Sequence, residues 1–143
     1  MKTNKAKYFS ILFVSLFIGL TACTKQGIKN RALFLAVESF DNEAQQTAKA
    51  NFIDVEQQKV FADFTKANTS IDAGNVDLKS DTEATVQVTI DTFPKSVIEE
   101  LKTISGKDWK AKVTATREKK SYTMKLQKIE GQWKMTEQVE NPK

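Results

Sequence analysis

Hydrophobic and polar positions alternate along this chain in three different rhythms. From Tyr8 to Leu20 the run is apolar and carries no charge. From Ala32 to Asn68 apolar positions return at helical intervals: Leu33, Val37 and Phe40 share a face that Ala44 and Ala48 extend, and Ile53, Val60, Phe61, Phe64 and Ala67 lay a second stripe. Asp41 and Asn42 favour caps and turns, so the region predicts two helices with their boundary between residues 41 and 52. After Asn68 the period falls to two. Val76 and Leu78 alternate with polar residues, Ser80-Asp81-Thr82 reads as a turn, and Ala84, Val86, Val88 and Ile90 alternate with Thr85, Gln87, Thr89 and Asp91.

Pro94 suits the first turn of a helix, with Val97, Ile98, Leu101 and Ile104 on its apolar side and Gly106 as its stop. Three further strands are expected. Trp109, Ala111, Val113 and Ala115 mark the first, and Glu118-Lys119-Lys120-Ser121 its turn; Tyr122, Met124 and Leu126 mark the second. Glu130-Gly131 supplies another turn, because glycine accepts positive φ, and Trp133 and Met135 begin the last strand. The expected fold class is α+β: amino-terminal helices packed on a curved antiparallel sheet.

The opening segment has its own logic. Lys2, Lys5 and Lys7, with no acid, precede the apolar run, as in a secretory signal. A membrane span needs roughly 20 apolar residues, and polar Thr24, Lys25 and Gln26 arrive too soon. Leu20-Thr21-Ala22-Cys23 resembles the lipobox of bacterial lipoproteins. That resemblance implies a diacylglyceryl group on the Cys23 thiol, cleavage before it and acylation, with palmitate or a similar chain, of the new amino terminus. The expected organisation is a signal peptide over residues 1–22, a lipidated cysteine with a polar tether over 23–30, and one α+β domain over 31–143. Two or more acyl chains hold stably where one holds marginally. Thr24 stands where an aspartate would signal inner-membrane retention, so an outer-membrane lipoprotein facing the periplasm or the cell surface is expected.

Removing residues 1–22 discards three lysines and no acid, so the net charge of +4 falls to +1. The basic character therefore belongs mostly to the leader, and no nucleic-acid partner is implied. Charge is uneven: residues 24–100 hold 8 Lys/Arg against 13 Asp/Glu, and residues 101–143 hold 11 against 5.

The order of elements resembles the cystatin-like, nuclear-transport-factor-two-like superfamily, in which amino-terminal helices fill the concave side of a bent sheet. Val76 to Ile90 is similar to its first hairpin, and Tyr122 to Met135, with Gly131-Gln-Trp133-Lys, to its closing one. The resemblance implies a cystatin-like roll with Trp133 packed inward. The helix between Pro94 and Ile104 departs from the simplest form of that roll.

Little in the chain carries chemistry. There is no histidine, which removes the commonest general base, the histidine triads and the usual zinc sites. Cys23 is the only cysteine, so the domain has no internal disulfide, thiol catalyst or cysteine metal site. No cofactor and no metal is expected, and Asp72, Asp77 and Asp81 lack the calcium-loop order. Glu99-Glu100, Asp54, Glu56 and Asp63 read as solvated helix edges. Arg117, Lys119, Lys120 and Tyr122 read as a charged hairpin turn, with contact to anionic headgroups as a minor alternative. If the helices leave the sheet concavity partly open, Phe93, Trp109, Tyr122 and Met124 line an apolar pocket.

These readings point to a lipid-anchored, non-catalytic envelope domain that binds an envelope protein or a small apolar ligand. A structural or assembly role is the alternative; a carboxylate-dependent enzyme on the same fold ranks behind it. An enclosed cavity would favour the ligand, and an exposed apolar patch the protein partner.

Overall fold

A computed structural model gives the arrangement. It describes residues 5–143, with side chains from Thr24 onward; the expected signal peptide and Cys23 lie outside the residues so described. Two amino-terminal helices, α1 (Lys5–Asn51) and α2 (Val55–Ala67), pack against a four-stranded antiparallel sheet. The strands β1 (Ser70–Leu78), β2 (Glu83–Thr92), β3 (Glu118–Ile129) and β4 (Gln132–Glu140) form a meander in chain order. Between β2 and β3 the chain makes two short helices, α3 (Val97–Leu101) and α4 (Trp109–Ala115), joined through a 3-10 turn at Gly106–Asp108.

The path of α1 follows from a stripe of small residues. Ile28, Ala32, Ala36, Ala44 and Ala48 are buried and Phe40 is half-buried, all at steps of four. At 3.6 residues per turn each step drifts by about 40°, so the stripe winds around the helix. Its start therefore faces the sheet, where Ile28, Ala32 and Ala36 pack with Ala73, Val86, Val88, Met124 and Leu126. Its end faces α2, where Ala48 joins Phe61, Phe93, Val97, Leu101, Trp109 and Val113 in a second core.

Five expectations change. Asp41 and Asn42 do not interrupt α1, because the buried stripe passes beside them and packing outweighs a propensity cost of roughly half a kcal/mol each. The break comes later, at Phe52 and Ile53, where Asp54 caps α2 by accepting from the Gln57 amide at 2.9 Å. Thr24 to Asn30, expected as an extended tether, is helical, with Ile28 fully buried.

Trp109 to Ala115 is α4 and not a strand. Trp109 and Val113, four apart, are its buried pair, while Ala111 and Ala115 face solvent. Period two and period four coincide in so short a run. The place beside β2 is already taken by β3, which begins at Glu118 paired with Thr92, so Glu118 to Ser121 is strand and no turn. Two strands, not three, follow the α3 region. Finally, α3 ends at Leu101, and Gly106 opens the 3-10 turn instead of ending a helix.

Where the alternation is long it holds. Ala84, Val86, Val88 and Ile90 are all buried, as are Met124 and Leu126. Glu130 (φ 52°) and Gly131 (φ 78°) form the tight turn into β4, and Trp133 leans onto the first core. Register shifts after Ala73 and after Lys125 bend the sheet at β1 and β4.

Candidate functional site

The four residues expected to share a pocket are divided among three places. Met124 is sealed in the first core. Phe93 and Tyr122 line a small cleft between the two cores, with Phe40 and Ala44 of α1, Phe61 of α2 and Ile90 of β2. Trp109 lies instead under a groove at the far end of the helical layer, bounded by Phe52, Ile53, Val60, Leu101 and Ile104.

The cleft is shallow, about 80 Å³. That is smaller than the roughly 150 Å³ that admits a benzene ring. Its mouth is charged but compensated: Lys95 meets Glu43 at 2.8 Å, and Glu118 lies 3.9 Å from Lys120. The Tyr122 hydroxyl has no hydrogen-bond partner among the described residues. Burial, reinforced by the carboxylates of Glu140, Glu43 and Glu118, raises its pKa above the ordinary phenol range. No carboxylate is buried among the described residues, and Thr65 is the only buried polar side chain there.

The groove is larger, about 550 Å³, and sets exposed apolar side chains beside the polar Asn51, Glu56, Gln57 and Lys102. Ile53 is 101% exposed, Val60 54% and Ile104 38%, whereas Val55 lines a separate depression beside Ala48 and Ala62. The floor beneath is aromatic and hydrogen-bonded. Trp109 donates its indole N–H to the Leu101 carbonyl at 2.8 Å and meets Phe61 and Phe64 edge-on at 5.8 and 5.2 Å. Phe52 stacks tilted on Phe61 at 4.9 Å. Geometry explains the rim: Phe61, Ala62 and Thr65 take the core-facing arc of α2, and Val60, about 100° from Phe61 on the side away from Ala62, falls outside it. Ile53 precedes the capping Asp54 and lies outside the helix altogether. Ile53 and Val60 both belong to the stripe expected in the core, and both are turned out.

Several of the charged residues singled out from the sequence have structural partners. Arg117 binds Asp91 and the Asn68 carbonyl. Glu99 pairs with Lys102 at 2.8 Å, and Glu100 with Lys112, which ties α3 to α4. Asp63 and Lys59 meet at 2.7 Å; their mutual hydrogen bond and charge hold the carboxyl below its usual range and the amine above its own. Among the described residues no three metal-ligating side chains converge, and no helix is long and apolar enough to cross a membrane.

Comparison of the chain with protein-family models, with curated proteins and with solved structures found no match. The functional reading therefore rests on the sequence and the geometry.

Proposed function

We propose that the chain is a lipid-anchored bacterial envelope lipoprotein, acylated at Cys23, whose domain acts by binding and not by catalysis. Its partner is an apolar segment of another envelope protein, received in the groove beside Ile53. The observation that carries the docking claim is the rim itself. Ile53, Val60 and Ile104 expose apolar side chains around an aromatic floor of Phe52 and Trp109, and burying each completely would contribute about 1.5–3 kcal/mol. Contiguous exposure of that kind marks interaction surfaces.

The position of the groove supports the same assignment. From Thr24, the residue after Cys23, α1 runs to Asn51 beside the groove, about 42 Å at 1.5 Å per residue. An anchor at one end thus presents the groove away from the bilayer, on an outer-membrane protein facing the periplasm or the cell surface. The fold reading that accompanies it is the cystatin-like roll, supported by α1 lying along one face of a bent meander.

The test is a photo-crosslinking residue at position 53, with position 85 on the polar sheet face as control, in cells making the full chain. One discrete adduct from position 53, absent from 85 and lost with Val60→Glu, is expected. Adducts from both positions, or from neither, would reject the groove as a docking site.

A second reading has one observation behind it. The unpartnered Tyr122 hydroxyl, in a cleft lined by Phe40, Phe61 and Phe93, suits the polar end of an apolar ligand narrower than a benzene ring. Loss of a co-purifying small molecule in Tyr122→Phe would favour it, and a protein free of any bound small molecule would remove it.

A further inference from the structure

In a four-stranded antiparallel meander the β1–β2 and β3–β4 hairpins lie at one end of the sheet, and α1 passes that end near Ile28 and Arg31. The Lys128 amide donates to the Thr82 carbonyl at 2.8 Å, joining the two hairpins. Arg31 donates to the Trp133 carbonyl at 3.0 Å, joining α1 to the second. The level of the helix follows from its length. Ala44 lies beside Ile90 in the cleft, and the 16 residues back to Ile28 cover about 24 Å. The strand from Ile90 to Ala84 covers about 20 Å. Thr24, one further turn along, is therefore level with the hairpin tips.

The charge on this end is divided. Residues 24–37 contain Lys25, Lys29 and Arg31 with no acid, and the β3–β4 hairpin adds Lys128 and Lys134 against Glu130 alone. The acids Asp77, Asp81 and Glu83 sit on the other hairpin. None of Lys25, Lys29, Lys128 and Lys134 has an ion-pair partner among the described residues. Farther down the same sheet, Lys125 pairs with Glu137 and Lys120 lies near Glu118. Ile129 is 38% exposed at the tip, next to Lys128 and one short turn from Trp133.

We propose that this end is a membrane-facing surface for anionic phospholipid headgroups. Lys25, Lys29, Lys128 and Lys134 take the phosphates, and Ile129 sits at the boundary between headgroups and acyl chains. The assignment rests on acylation of Cys23, which puts the anchor within about 10 Å of Lys25 and Lys29 along the helix. Because Thr24 is already helical, no slack separates anchor from domain, and the surface next to the anchor meets the bilayer. The basic–aromatic patch at Arg117 to Tyr122 lies at the opposite end of β3. A lysine near an anionic surface strengthens binding roughly fivefold, an effect that falls with salt.

The experiment uses the full chain purified from membranes and reconstituted into vesicles. An environment-sensitive fluorophore is placed on Ile129→Cys or, as control, on Ile53→Cys. Vesicles are either pure phosphatidylcholine or contain about 30% phosphatidylglycerol, enough to give a strongly anionic surface. The label at 129 is expected to shift to the blue only with phosphatidylglycerol and to return with added salt or with Lys128→Gln/Lys134→Gln; the label at 53 should stay in water. A label at 129 that ignores lipid charge, or a shift at 53 as well, overturns the proposal. Flotation with phosphatidylcholine vesicles, together with a mass beginning at Cys23 plus acyl groups, reports the anchor separately. An anchored protein with an unresponsive label sinks only the headgroup surface. A protein without acyl groups sinks the anchor, whereupon flotation and label shift with anionic vesicles still decide the surface.

Discussion

Arg117 grips Asp91 twice, donating from Nε to the carboxylate and from Nη2 to the main-chain carbonyl, each at 2.8 Å. Its third donor reaches the carbonyl of Asn68, the residue that caps α2. One side chain thus fastens the start of β3 to the end of β2 and to the helical layer, just where β3 returns to the sheet after α3 and α4.

The fork geometry matters more than the charge, since lysine cannot reproduce several parallel donors. The pair is about two-fifths exposed, so solvent screening limits its value. Arg117→Ala should cost about 1 kcal/mol in urea unfolding, and Arg117→Lys should recover less than half of it. An unchanged midpoint for Arg117→Ala would show that the clamp is incidental.

Trp109 should be the costliest single truncation in the second core. It touches Phe52, Phe61 and Phe64 and donates to the Leu101 carbonyl. Trp109→Ala is expected to lose about 3–5 kcal/mol. Trp109→Phe should lose less but still leave the Leu101 carbonyl without its donor. Thermal melts compare the two, and a Trp109→Phe variant as stable as the parent would mean that the indole N–H contributes nothing.

The β3–β4 turn makes opposite predictions at adjacent positions. Gly131 sits at φ 78° with open space where a Cβ would point, so a side chain there meets backbone strain and no clash. Gly131→Val should cost about 1–2 kcal/mol. Glu130 already endures φ 52°, and Glu130→Asn should gain about 0.5 kcal/mol, because asparagine favours such turns. Denaturation midpoints moving in the same direction for both would contradict this turn geometry.

Tyr122 links the cleft to pH. Its folded pKa is raised by burial first and by Glu140, Glu43 and Glu118 next. Above the unfolded phenol value of about 10, the unfolded chain loses the proton that the folded chain keeps. Stability present below that pH is then lost as pH climbs toward the folded value. Tyr122→Phe should flatten the fall in melting temperature above a pH of about 10 relative to the parent, and parallel curves would show that the phenol is not strained by its surroundings.

Legibility in the sequence tracks the length of each pattern. Four alternating positions in β2, Ala84 to Ile90, and the glycine turn at Gly131 admit one reading. The seven residues from Trp109 to Ala115 satisfy two periods at once, and only the pairing of β2 with β3 decides between them. The α1 stripe is half visible: Ala44 and Ala48 extend a recognisable face, but Ile28, Ala32 and Ala36 are too small or too near the polar start to stand out. The groove is hidden for a related reason. Hydropathy puts Ile53 and Val60 inside, yet exposure is set by the turn at Asp54 and by Phe61 taking the core-facing position.

The central claim is an acylated anchor joined to a protein-binding domain. It is tested most directly by a native mass spectrum of the full protein extracted from bacterial membranes in mild detergent. The expected species is a chain beginning at Cys23 with acyl groups added and a second protein bound, the latter released by Ile53→Glu. A chain that retains residues 1–22, or one that starts elsewhere without acyl groups, would contradict it.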